Sequence, residues 1–265
     1  MRLAWCTDLH FDVCRDAQSA VINWAEGVKS KSPDAVLITG DISVAQHLIY
    51  HLSIAEKVLQ IPIYFVLGNH DFWGHRIESV QKQMKELSSI STYLKWIPDS
   101  SYIPLTQATC LIGHDGWYDA LYGQLDRSFL TMNDWNNIHD YRDVGGASNR
   151  GSVIGLSRML SHAAATMVQA QIKAAMRYHS NIFIATHVPP FHAPDADALG
   201  LPWYASKMMG DLLTVAAQSF PNVNFTVFSG HTHEERSIKV AKNLSCHTGK
   251  AEYGRPGVQS IIEVP

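Results

Sequence analysis

Residues 35–41 read Ala35-Val36-Leu37-Ile38-Thr39-Gly40-Asp41, and residues 63–71 read Ile63-Tyr64-Phe65-Val66-Leu67-Gly68-Asn69-His70-Asp71. Each is a short apolar run that stops at a glycine and is followed at once by a residue able to hold a metal. An unbroken run rather than an alternating one marks a strand buried on both faces, as in a parallel sheet covered by helices. The same grammar recurs along the chain. Leu3-Ala4-Trp5-Cys6 leads into Asp8-Leu9-His10, Asn181-Ile182-Phe183-Ile184-Ala185 into Thr186-His187, and Asn224 to Phe228 into Gly230-His231-Thr232-His233.

Between these runs lie stretches with helical spacing of apolar residues: 16–30, 44–59, 75–87, 152–178 and 204–218. The first part of the chain therefore reads βαβαβα, the order of a mostly parallel sheet with helices on its faces, an α/β class. A weaker strand is expected at 108–112. Further strands joined by turns are expected at 237–240 and 258–264. Residues 114–151 show no periodicity. The chain has no repeat and no Pro/Ser-rich linker, so it reads as one domain, 1–265, with an irregular, aromatic-rich insertion near 114–151.

Composition narrows the function. The chain has 265 residues, 46% hydrophobic and 17% charged, with a formal net charge of -3. That is a globular composition, and it carries no basic excess of the kind that displaces counterions from nucleic acid. No run of 18 apolar residues occurs, and the first residues lack the pattern of a secretory leader, so the expectation is a cytoplasmic protein with no membrane partner. Four cysteines without a CxxC pair argue against a zinc ribbon or a disulfide framework. The 14 histidines are the unusual number.

Ligands in open α/β sheets bind just beyond the carboxyl ends of the strands. The five strand ends deliver Asp8, Asp41 and Asn69 as oxygen donors and His10, His187, His231 and His233 as imidazoles. A mixed N/O set without thiolate suits manganese, iron, zinc or cobalt more than a structural zinc. Seven donors exceed what one tetrahedral ion takes and match two ions sharing a bridging carboxylate.

The series Asp8-x-His10, Gly40-Asp41, Gly68-Asn69-His70-Asp71, Thr186-His187 and Gly230-His231-x-His233 resembles the calcineurin-like metallophosphoesterases. The resemblance implies a four-layer αββα sandwich of two mixed β-sheets flanked by helices. It assigns Asp8, His10 and His233 to a first metal, Asn69, His187 and His231 to a second, and Asp41 to the bridge. His70 becomes the catalytic histidine beside the leaving group; Asp71, next to it in the chain, either orients its ring or serves a surface or turn role. The cofactors it implies are two divalent or mixed-valence transition-metal ions, manganese first, with iron or zinc as alternatives.

The expected activity is a dinuclear metal-dependent phosphoesterase, in which a metal-bridging hydroxide attacks the phosphorus of a small phosphoester in line. A nucleotide-like diester is favoured over a monoester. The alternatives are a phosphomonoesterase and a non-catalytic metal-binding scaffold of the same fold. The insertion carries Trp117, Tyr118, Tyr122, Phe129, Trp135 and Tyr141, which either stack on a flat leaving group or pack the loop down. Its Arg127, Arg142 and Arg150 are outnumbered by Asp115, Asp119, Asp126, Asp134, Asp140 and Asp143, which disfavours a nucleic-acid substrate. His114, His192 and His247 read as ordinary loop histidines. His47 and His51 lack the glutamate of an HExxH zinc helix and read as helix-surface residues.

Overall fold

The computed structural model describes residues 1–193 and 196–265. Strands β1 (Arg2–Cys6), β2 (Ala35–Thr39), β3 (Ile63–Val66) and β4 (Leu94–Trp96) alternate with helices α1 (Ala17–Lys29), α2 (Ala45–Leu59) and α3 (Ile77–Ile90). Strands β5 (Ile103–Pro104) and β6 (Thr109–Gly113) precede the insertion. There short helices α4 (Asp134–Asn137) and α5 (His139–Asp143) lead into the long α6 (Arg150–Ala175). The remainder is β7 (Asn181–Ala185), α7 (Leu201–Tyr204), α8 (Lys207–Ser219), β8 (Asn224–Ser229), β9 (Arg236–Ala241), β10 (Leu244–Thr248) and β11 (Ser260–Glu263).

The strands form two mixed sheets, β11-β1-β2-β3-β4 and β5-β6-β7-β8-β10-β9. Each is parallel at its centre and antiparallel at an edge: β11 runs against β1, β5 against β6 and β9 against β10. Period-two alternation sends the side chains of each central strand into two different cores. Leu3, Trp5, Leu37, Val66, Leu111, Phe183 and Phe228 meet between the sheets. Ala4, Cys6, Val36, Ile38 and Phe65 pack outward against α1 and α2 (Val21, Trp24, Leu48, Leu52). Ile112, Ile182, Ile184 and Val227 pack outward against α6 and α8 (Val168, Ile172, Leu213). The result is four layers, helices–sheet–sheet–helices, as the resemblance implies.

The departures from the sequence reading lie at short or alternating segments. β4 and β5 have three and two residues, too few to register as apolar runs. β10 was unanticipated because only Leu244, Cys246 and Thr248 face inward, between the polar Ser245 and His247. His247 therefore sits on a strand, not a loop, with Nδ1 paired to Ser237 Oγ at 2.9 Å. His51 is not a surface residue. It is 2% exposed, lies on the Leu48–Leu52–Ala55–Leu59 face of α2, and shares a 2.9 Å hydrogen bond between Nδ1 and Ser43 Oγ. His114 is also buried, its Nδ1 accepting from Gly116 N at 3.1 Å, whereas the partly buried His192 pairs with Ala193 O. The insertion rings divide. Trp117, Tyr118, Trp135 and Tyr141 are buried in the core, while Phe129 is 90% exposed. Packing accounts for most of the aromatic content, and Arg150 covers it with its guanidinium 4.9 Å from the Trp203 ring.

Candidate metal centre

The carboxyl ends of β1, β2 and β3 from one sheet and of β7 and β8 from the other open onto one rim. Asp8, His10, Asp41, Asn69, His187, His231 and His233 all stand there. Five of the seven hold left-handed backbone without being glycine: Asp8 (φ 49°), His10 (43°), Asp41 (51°), His231 (72°) and His233 (58°). Such conformations cost about 1–3 kcal/mol each and persist where the surroundings over-determine them. Here the loops cross-link. Asp8 N donates to Gly40 O at 3.0 Å and His10 N to Asp41 O at 2.9 Å, while His231 N donates to Asp8 Oδ1 at 3.0 Å.

The side chains fall into two groups on either side of Asp41. In the first, His10 Nε2 lies 3.1 Å from His233 Nε2, His233 Nε2 3.4 Å from Asp8 Oδ1, and His10 Nε2 3.6 Å from Asp41 Oδ2. Donor atoms of Asp8, His10, Asp41 and His233 lie within 4.8 Å of one another. In the second group, Asn69 Oδ1 sits 3.1 Å from His187 Nε2 and 2.9 Å from His231 Nδ1, and His187 Nε2 is 3.4 Å from Asp41 Oδ2.

The hydrogen bonds made on the far sides of the rings say what this arrangement lacks. His187 Nδ1 donates to Thr39 O at 2.9 Å and His231 Nε2 to Trp203 O at 2.9 Å. When neutral, as ligation requires, each ring turns a bare lone pair inward, onto the oxygen of Asn69. Lone pairs facing lone pairs at this range repel unless a positive charge lies between them. Outer-nitrogen hydrogen bonds of this kind also fix the tautomer a metal needs. The donor set fits divalent cations.

Electrostatics agree. Burial alone would raise the Asp41 carboxyl, but His187, His70 and His10 outweigh it and hold it well below the usual carboxylate range. Burial also works against charging His187, yet Asp41 and Asp8 prevail and push that imidazole up to about 10. Burial pushes His10 down to about 4 and lowers His231. Without metal, a proton on His187 supplies part of the charge the site calls for.

His70 stands apart from both groups. Its Nε2 is 4.0 Å from Asp41 Oδ2, its ring stacks on Trp73 (centroids 3.6 Å apart, 25° between planes), and its buried Nδ1 has no hydrogen-bond partner among the described residues. Asp71 does not orient that ring. It is fully buried and faces the opposite way, accepting from Ile42 N, Ser43 N and Gly68 N at 2.8–2.9 Å. Asp71 thus ties the loop after β2 to the loop after β3.

Sequence reasoning missed several neighbours. Tyr253 leans over the first group, its ring 4.6 Å from His10 and 4.9 Å from His233. Asp134, from the insertion, is buried and accepts from Asn69 Nδ2 at 2.8 Å. A cavity of about 470 Å³ opens onto the centre, lined among others by Asn69, His70, Trp73, Tyr204, His231 and Tyr253. Two glycines of the sequence pattern have a steric cause. A Cβ on Gly40 (φ 92°) would lie 2.5 Å from His187 Nδ1, and one on Gly68 2.2 Å from Asp41 Oδ1.

A family model described as calcineurin-like phosphoesterase matches residues 1–235. Among solved structures, the phosphopantetheinyl hydrolase PptH from Mycobacterium tuberculosis is similar, with a TM-score of 0.61 at 13% identity, over 96% of this chain and 90% of that one. A dimetal phosphatase from Danio rerio superposes with a TM-score of 0.54 at 15% identity, over 94% and 86%. A putative 5'-nucleotidase from Staphylococcus aureus gives 0.50 at 12%, over 98% of this chain and 53% of that one. At these identities the structural likenesses speak to the fold. No curated protein matches the sequence. The chain belongs to the calcineurin-like phosphoesterase family, and it is a metal-dependent phosphoester hydrolase.

Proposed function

We propose, from the premise that this chain is a calcineurin-like phosphoesterase, that it hydrolyses a small phosphodiester in preference to a monoester, using two divalent metal ions. Asp8, His10 and His233 would hold the first, Asn69, His187 and His231 the second, and Asp41 both. The observation that carries this reading is the pair of inward-facing donor groups flanking Asp41. Bound there, two cations supply charge neutralisation at the phosphoryl oxygens and lower the pKa of a water. Manganese is the first choice for an N/O set without thiolate, with iron or zinc next.

The chain's own residues do the rest. His70 lies at the cavity wall beside Asp41, where its ring reaches the leaving oxygen and hands it a proton. Trp73, packed flat beneath it, limits the ring's rotation. The diester preference rests on charge. Among the described residues, those lining the cavity include no lysine or arginine, and Glu234 stands at its edge. A singly charged diester suits such a mouth better than a dianionic monoester. Tyr204 and Tyr253, 37% and 55% exposed, offer ring faces to a flat leaving group. The same polarity disfavours nucleic acid. We read 1–265 as one domain, because β11 completes the first sheet by pairing with β1. Four unpaired cysteines fit a reducing compartment and so the cytoplasm.

The test is turnover of a chromogenic phosphodiester and its monoester side by side, with Mn²⁺ and then with chelator. Chelator-sensitive turnover with the diester faster is expected. A faster monoester would overturn the preference, and no turnover by the metal-loaded chain would favour a scaffold. His70→Ala should cut turnover about 10²–10⁴-fold, the usual contribution of a general acid, with metals retained. Asp41→Ala should lose metal, and equal metal loss in both variants would sink the division of roles.

A further inference from the structure

A buried carboxylate of the insertion, Asp134, reaches a donor side chain of the metal centre. Asp134 begins α4 and is wholly buried. Its Oδ1 accepts from Asn69 Nδ2 and from Trp73 Nε1, both at 2.8 Å, and its Oδ2 accepts from Tyr118 OH at 3.1 Å. Tyr118 is held in turn by Trp135 Nε1 at 3.2 Å. Three donors from two segments, the loop after β3 and the insertion, converge on this one side chain.

We propose that Asp134 is a positioning residue for the metal centre: it sets which end of the Asn69 amide faces His187 and His231. The inference rests on the two-metal reading. An amide has an oxygen at one end and an NH₂ at the other, and only the oxygen binds a cation. Without Asp134 the amide gains by turning over, because its NH₂ would then donate to the bare Nδ1 of His231, whose Nε2 is already given to Trp203 O. That rotation places hydrogens where the second cation belongs. Asp134 prevents it by giving the NH₂ a charged acceptor outside the centre. Outer hydrogen-bond partners of metal ligands are typically worth 10–100-fold in affinity. The insertion therefore completes the second metal position from behind.

The experiment measures Mn²⁺ binding to the full chain by calorimetry and by metal content after dialysis, with thermal melting alongside. Asp134→Leu removes every acceptor and should weaken one of two Mn²⁺ sites 10–100-fold while sparing the other. Asp134→Asn keeps an oxygen that can accept from both Asn69 and Trp73 and should retain both ions. The double variant Asn69→Asp, Asp134→Leu should regain the lost site, since a carboxylate has no wrong end. A merely structural role for Asp134 would leave that rescue without effect. Should Asp134→Leu fail to melt cooperatively, Asp134→Ser, too short to reach Asn69, carries the same expectation. Asp134→Leu or Asp134→Ser holding both ions at wild-type affinity overturns the proposal, as does failure of the rescue. A wild-type chain that binds no Mn²⁺ overturns the two-metal reading itself, which separates the two failures.

Discussion

Gly68 offers a test of the centre that removes no polar group. A methyl group added at residue 68 would sit 2.2 Å from Asp41 Oδ1, 2.5 Å from Asp41 N and 2.8 Å from Asp41 Cγ. Gly68 has no left-handed backbone to strain, so the clash is the whole effect. Carbon and oxygen need roughly 3.2 Å, so the Asp41 carboxylate must retreat by about 1 Å, and a misplacement of that size costs about 10²-fold in rate. Because Asp41 Oδ1 also accepts from His70 N at 2.9 Å, the catalytic candidate moves with it. Gly68→Ala should therefore lower kcat about a hundredfold, or about 2.7 kcal/mol in barrier. The overpacked core should also melt earlier, by about 1–3 kcal/mol of stability. Gly27→Ala and Gly155→Ala serve as controls. Both positions are helical with nothing within 4 Å, so alanine there should leave turnover alone and add about 1 kcal/mol of stability. The assay is Mn²⁺-supported hydrolysis of a chromogenic ester with metal content and melting on the same samples. A Gly68→Ala variant within threefold of wild type would refute the inference that this backbone is pressed against the Asp41 carboxylate.

Two further outcomes follow from charge and burial. In the metal-free fold His187 carries its proton up to about 10, so the stabilisation this gives is complete below its ordinary 6.5 and fades as pH rises towards 10. With His187 ligating as proposed, metal binding must expel that proton, so Mn²⁺ affinity should rise about tenfold per pH unit between pH 6.5 and 9. Calorimetry in buffers of different ionisation enthalpy reads the released proton directly, and a flat profile would refute the assignment. Asp115, in contrast, is a fastener with no part in the chemistry. It accepts from Leu67 N at 2.8 Å, Trp96 Nε1 at 3.0 Å and Gln81 Nε2 at 3.2 Å. Asp115→Ala orphans two buried donors at about 1–3 kcal/mol each and should lower the melting temperature several degrees without changing metal stoichiometry.

The parts of the fold legible in sequence were those where burial is total. β2 is buried at every position, so residues 35–38 appear as an uninterrupted apolar run with Asp41 three residues beyond it. Where a strand faces solvent on one side, as β10 does, its inward residues are spaced among polar ones and the run disappears. His51 was readable in principle, since it shares the face of Leu48 and Leu52, but histidine's polarity hid the match. The seven donors stood out because each follows a strand within a few residues. Asp134 had no such marker. It lies in an aperiodic stretch, and its partner Asn69 is 65 residues away, so only the folded insertion brings the two together. The same holds for Tyr253, which reaches His10 and His233 from a turn near the end of the chain.

The donor residues divide by sheet. Asp8, His10, Asp41 and Asn69 follow strands of one sheet, and His187, His231 and His233 follow strands of the other. Apolar packing between two such faces resists separation but resists sliding far less, because a hydrophobic contact has no preferred direction. A pair of ions bonded to both sides would act as a rivet at one end of that seam. The mechanical stiffness of the whole sandwich then depends on metal. Chelation should speed amide exchange at the carboxyl ends of β1, β2, β7 and β8, with β5 and the far ends of the same strands little changed, a gradient of protection running away from the rim.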